Sequence, residues 1–123
     1  MPVPLYYWRL WSRRFNQSAA LAHEVGRLAH VPVDCFALKR VRRTTSQVGL
    51  SPDQRRRNVA GAFKVPNSQA SAVKGKSIVL IDDVITTGAT VEACARALRR
   101  AGALRVDVLA LARAVEPAAG ALA

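Results

Sequence analysis

Three hydrophobic periodicities divide this chain. Ile78, Val79, Leu80 and Ile81 are consecutive branched aliphatics, the pattern of a central parallel strand buried on both faces. Val91, Cys94, Ala95, Leu98 and Ala101 then recur at helical spacing, and Gly102 follows as a left-handed residue past the cap. Val106, Val108, Ala110 and Ala112 alternate with Asp107, Leu109, Leu111 and Arg113, which predicts a further strand.

The first half is less regular. Leu21, Val25, Leu28 and Ala29 form one apolar stripe on a helix expected over 17–29, with Asn16 as its N-cap and Val31-Pro32 ending it. Gly26 inside that helix costs up to about 1 kcal/mol relative to alanine, so close packing against the sheet is expected. Residues 33–38 predict a short strand, 61–65 a returning strand, and 66–76 a loop. Residues 2–5 read as the tail of a strand, since two prolines in four positions suit no central strand. Strands alternating with helices predict an α/β domain, a mostly parallel sheet flanked by helices.

Between the strands lies a stretch of different texture. From 39 to 57 there are seven basic residues, Lys39, Arg40, Arg42, Arg43, Arg55, Arg56 and Arg57, against Asp53 alone. Such a segment is not expected to bury itself, so 39–60 reads as a flexible basic loop. Ser51-Pro52-Asp53 fits a cap followed by proline at the start of a short helix. A small-residue tail, 114–123, closes the chain.

Length allows one domain, 1–123, and a hydrophobic content of 50% makes it globular. Nineteen Lys and Arg against eight Asp and Glu give a net charge of +11, which favours polyanions: phosphorylated metabolites, nucleic acid or both. Cys35 and Cys94 make no metal framework and read as buried thiols, while His23 and His30 read as helix-surface residues. No apolar run approaches a membrane span or a signal peptide's core, so a cytoplasmic protein is the expectation.

The chemistry concentrates where the central strand ends. Asp82 and Asp83 are followed by Thr86, Thr87, Gly88, Ala89 and Thr90, and then by the helix. A helix N-terminus presents unpaired amides and partial positive charge to an anion. Gly88 permits positive φ and close approach, and the threonine hydroxyls can donate to phosphate oxygens. The twin acids repel phosphate and suit hydroxyls or a divalent cation. Phosphate, diol and Mg²⁺ together describe a ribose 5-phosphate.

Other phosphate loops are excluded. No GxxxxGK[ST] and no GxGxxG after a strand occurs. A receiver domain would need a later phosphoacceptor carboxylate, and only Glu92, Asp107 and Glu116 follow. The plain structural alternative is a buried strand whose acids cap the next helix.

Residues 78–90 resemble the phosphoribosyl pyrophosphate signature of type I phosphoribosyltransferases. The similarity extends through Pro2-Val3-Pro4-Leu5, Arg13-Arg14-Phe15-Asn16-Gln17-Ser18, Arg40-Val41-Arg42-Arg43-Thr44-Thr45-Ser46-Gln47, Leu50, Arg55 and Asn58-Val59-Ala60-Gly61-Ala62-Phe63, which is similar to the ComF branch. The resemblance implies that Asp82 and Asp83 are the catalytic acids, holding ribose hydroxyls and Mg²⁺ directly or through water. It implies that Thr86 to Thr90 take the 5-phosphate, that Arg9, Arg13 and Arg14 take the pyrophosphate, and that Arg40, Thr44, Gln47, Arg55 and Asn58 belong to a loop closing over substrate. Arg14 stands where ComF-like proteins usually have glycine.

Type I enzymes carry a strand and helix ahead of the Pro-Val-Pro position, and most ComF proteins a four-cysteine zinc module before that. Neither is seen here, so the sequence reads as an N-terminally shortened member with exposed apolar surface and self-association expected. The resemblance also implies a different class of function, a non-enzymatic DNA-uptake accessory binding single-stranded DNA, with Tyr6, Tyr7, Trp8 and Trp11 among Arg9 and Arg13 as base-stacking candidates.

Overall fold

The computed structural model describes residues 1–4, 16–42, 49–85 and 87–114. In chain order these form α1 (Gln17–Ala29), β1 (Lys39–Arg40), α2 (Pro52–Val59), β2 (Phe63–Lys64), a 3₁₀ turn (Asn67–Ala72), β3 (Ser77–Ile85), α3 (Ala89–Arg100) and β4 (Arg105–Arg113). The α/β fold expected from the sequence is present.

The apolar run becomes β3, which pairs in parallel with β4, Leu80 standing opposite Val108. On its other edge Pro2 bridges Ile81 in parallel: Val3 N–H donates to Ile81 O and Ile81 N–H to Met1 O, both at 2.9 Å. β3 is therefore central, and residues 2–4 are the strand tail that two prolines allow. α3 supplies the crossover between β3 and β4 and covers one face with Val91, Cys94 and Leu98, packed with Ile78 and Leu80. Gly102, at φ 97°, ends it in the left-handed region.

α1 packs on the opposite face. Asn16 caps it, accepting from Ala19 N–H at 3.1 Å. The buried stripe is Ser18, Ala22 and Gly26, not the expected Leu21, Val25, Leu28 and Ala29, and Leu28 is 65% exposed. Small residues face inward because a close contact fixes the helix. A Cβ on Gly26 would stand 2.4 Å from Val33 Cγ2 and 2.8 Å from Val31 O, so it is the turn after the helix, rather than the sheet, that closes on this glycine.

The strand expected at 33–38 is absent. Asp34 accepts from the amides of Phe36 and Ala37 at 2.8 and 3.0 Å, a local turn that competes with extended structure, and the strand that follows is β1. β1 pairs antiparallel with β2. The described part of the basic segment between them, from Gly49 on, is more built than its charge suggests. Ser51 and Gln54 form a reciprocal capping box at the start of α2, and Arg42 donates to the carbonyls of Asn58 and Ala60 at its end. Arg56 and Arg57 stay exposed, yet Arg55 is only 6% exposed, because α2 packs along α3 and carries it inward.

Central position does not cover β3 on both faces. Val79 is 46% exposed, and beside it a cavity of about 860 Å³ opens between α1 and the amino half of β3, lined by Val25, Ala29, Val33, Phe36, Val79 and Leu109. Apolar surface is thus exposed, as the sequence reading expects. No helix among the described residues is long and apolar enough to cross a membrane.

Candidate functional site

The candidate site is assembled at the carboxyl end of β3. Asp82 and Asp83 lie in the last part of β3, which runs on to Ile85; the β3–β4 ladder pairs Asp82, skips Asp83 and resumes at Val84. Each carboxylate has one oxygen anchored by backbone: Asp82 Oδ1 accepts from Asp83 N–H and Asp83 Oδ1 from Val84 N–H, both at 2.9 Å. Ser18 Oγ, in the first turn of α1, donates to Asp82 Oδ1 at 3.2 Å. Burial, together with Asp83 alongside, pushes the Asp82 carboxyl up to about 6, while the Ser18 bond pulls it back.

Beyond the acids the chain turns into α3 through Gly88, which is the N-cap with φ 83° and ψ 0°. A Cβ there would meet only Val91 Cγ2 at 4.0 Å, so the backbone conformation, not crowding, calls for glycine. Thr87 Oγ1 accepts a long bond from Ala89 N–H at 3.4 Å, and the first intrahelical bond is Glu92 N–H to Gly88 O at 2.9 Å. The first-turn amides of α3 therefore sit at the loop, one strand end away from the two carboxylates. The two carboxylates and the start of α3 thus follow one another closely along the chain, with the turn at Gly88 between them.

Arg40 stands on β1. Its guanidinium lies over the Phe63 ring, 5.2 Å from the centroid. Both Arg40 and Asp82 act electrostatically on the Cys94 thiol, which burial raises far above its ordinary range. Arg40 and Asp82 therefore each lie within electrostatic reach of the Cys94 thiol although their sequence positions are far apart. Cys94 is fully buried, whereas Cys35 is half-buried with its Sγ 3.5 Å from His23 Nε2, so only one of the two thiols matches the buried reading.

Asp82 and Asp83 lie near the carboxyl end of β3, and Thr87, Gly88, Ala89 and Thr90 in the turn into α3 and its first residues. Arg40, Arg55 and Asn58 lie in the described parts of the basic segment. Thr86, Arg9, Arg13, Arg14, Thr44 and Gln47 lie outside the described residues, as do the four aromatic residues near the start. Ser18 was given no role by the sequence reading; its one signal was a place in the first turn after a good N-cap. Among the described residues no cluster of three or more His, Cys, Asp or Glu side chains could hold a metal. The large apolar cavity lies towards the other end of β3 and contributes nothing to this site.

The family profile of the phosphoribosyl transferase domain matches residues 16–120, the span that contains every element from α1 to β4. The chain belongs to this family. Among similar proteins, competence protein F of Haemophilus influenzae is 39% identical over 114 residues, which is 93% of this chain and 49% of the relative. The DNA utilization protein YhgH of Escherichia coli K12 is 41% identical over 111 residues, 90% of this chain and 47% of the relative. Its counterpart in Salmonella typhimurium is 40% identical over the same length. The chain thus spans about half the length of the curated relatives it matches. No solved structure matches it.

Proposed function

We propose that this phosphoribosyltransferase-type domain binds phosphoribosyl pyrophosphate with Mg²⁺ at the carboxyl end of β3. The observation that carries the reading is the adjacency of the glycine-capped N-terminus of α3 to the Asp82–Asp83 pair. The 5-phosphate would lie against the first-turn amides and the hydroxyls of Thr87 and Thr90, with Thr86 added from the sequence pattern. The ribose hydroxyls would donate to Asp82 and Asp83. The donor set suits Mg²⁺, which takes one or two carboxylates and completes its shell with substrate oxygens and water. Burial, and after it the neighbouring Asp83, raises Asp82, and a cation would stabilise the paired carboxylates.

Transfer, where an acceptor is present, would pass phosphoribosyl to that acceptor and release pyrophosphate, with positive charge developing on the ribose ring. The twin carboxylates would stand beside that charge. Arg40, together with Arg9, Arg13 and Arg14 on sequence grounds alone, would help neutralise the leaving group. No side chain here is assigned as a general base.

A second reading is favoured by the names of the relatives and by the net charge of +11: a competence or DNA-utilization accessory that contacts single-stranded DNA. Calorimetry with phosphoribosyl pyrophosphate and Mg²⁺ separates the two. Binding that disappears in an Asp82→Asn/Asp83→Asn double variant supports the phosphosugar site. Absence of ligand heat, with DNA binding that falls steeply with salt, supports the second reading instead.

A further inference from the structure

Ser18, Ala22 and Gly26 are the buried residues of α1, spaced four apart along one line of the helix. All three are small, so the helix can lie close to β3, on which it packs. The turn at Val31 and Val33 closes on Gly26 at one end of that line, and Ser18 stands at the other. Close approach explains how a side chain as short as serine reaches Asp82, with Oγ 3.2 Å from Oδ1.

The carboxylate gains orientation from this contact. The terminal torsion of an aspartate is broad, with no deep staggered well to hold the plane of the group. The Asp83 N–H, at 2.9 Å, is a single donor from the next residue, and one bond leaves the group free to turn about it. The Ser18 hydroxyl arrives at the same oxygen from a different element, and two donors in different directions fix the plane. Oδ1 is then occupied twice, while among the described residues no N–H or O–H donates to Oδ2. Asp83 is held differently: its Oδ1 accepts from Val84 N–H, within its own strand.

Charge acts in the same direction. Ser18 is the second residue of α1, so its amide belongs to the first turn, which has no intrahelical acceptor, and the positive end of the helix lies beside Asp82. The hydroxyl and the helix end both favour the ionised carboxylate and oppose the effect of its burial.

We propose that Ser18 is a positioning residue for the ribose: by holding Oδ1 it presents Oδ2 of Asp82 to a ribose hydroxyl or to the shell of the cation. This rests on the phosphosugar reading above. It gives the two acids unequal parts, with Asp82 fixed from two elements and Asp83 from its own strand alone. Ser18 belongs to the acid half of the site, on α1, whereas the 5-phosphate would lie against α3.

The test is calorimetry on the 123-residue chain with phosphoribosyl pyrophosphate and Mg²⁺, with inorganic phosphate as a competitor and circular dichroism as the folding control. Ser18→Ala removes the hydroxyl, and Ser18→Cys keeps the shape of the side chain but donates weakly. Both variants should bind phosphoribosyl pyrophosphate about tenfold more weakly, while inorganic phosphate should compete as it does in the unsubstituted chain. Equal weakening of both ligands would make Ser18 a support of the fold alone. Unchanged affinity for phosphoribosyl pyrophosphate, in a chain where Asp82→Asn/Asp83→Asn abolishes binding, would show that Asp82 needs no second donor. Either result overturns the proposal and leaves the phosphosugar reading standing. Should the unsubstituted chain give no heat with phosphoribosyl pyrophosphate, or phosphate fail to compete for it, that reading itself fails and the role of Ser18 falls with it.

Discussion

Ser18 and Asp82 are 64 positions apart, yet the serine hydroxyl donates to the aspartate at 3.2 Å across the junction of α1 with the end of β3. This bond ties the first turn of one helix to the acid pair at the candidate site. It also opposes the burial that raises the Asp82 carboxyl to about 6.

The pH dependence has a definite sign. Below about pH 4 the carboxyl is protonated in both folded and unfolded chains; between there and about pH 6 the folded state alone retains the proton. Stability of the Mg²⁺-free protein should therefore fall as pH rises through this window and stay lower above it. Asp82→Asn should remove that slope and stabilise the protein at pH 7 by about 1 kcal/mol, less than the full shift implies because the half-exposed carboxylate is screened by solvent. Urea unfolding from pH 3.5 to 7.5 in chelator measures it. An unchanged slope in the variant would assign the titration to another group.

Gly88→Ala should lose about 1 kcal/mol or more, from forcing φ 83° on a residue with a Cβ rather than from any clash. Gly88→Asn, which tolerates the left-handed region, should lose less. Phosphoribosyl pyrophosphate affinity, measured calorimetrically, should follow the same order. Equal affinities for both variants would separate the loop conformation from binding.

Gly26→Ala tests the α1 packing. Helix propensity favours alanine by up to about 1 kcal/mol, but the new methyl would strike Val33 Cγ2 and the Val31 carbonyl. The clash should win, with net destabilisation of about 1–2 kcal/mol and a lower melting temperature. Stabilisation instead would mean that the turn yields easily.

The two thiols should differ in reactivity. Cys94 is fully buried and strongly disfavoured as thiolate, so a thiol reagent should modify Cys35 in native protein and reach Cys94 only on unfolding. Counting thiols titrated with and without denaturant, backed by peptide mapping, gives the answer. Fast labelling of Cys94 in native protein would show that the core beneath Asp82 opens readily.

Local patterns determined much of this protein. The branched aliphatic run, the Asn16 cap, the alternation of β4 and the helical stripe of α3 each rest on contacts within one element, which sequence spacing encodes. The order of acids, threonines and glycine likewise fixed the candidate site, because a strand end followed by a helix start can turn only a few ways. Gly88 takes the positive φ that this turn was expected to demand.

What spacing could not reveal were decisions made between elements. Which face of α1 turns inward depended on the Val31–Val33 turn closing over Gly26, so small residues displaced the larger apolar stripe. The Asp34 side chain overrode the strand tendency of 33–38, and α2 carried Arg55 into the interior against its charge. The meeting of Ser18 with Asp82, and the reach of Arg40 to the Cys94 thiol, arise only when the layers stack. Side-chain burial and proximity over such separations are properties of packing, and no local periodicity records them.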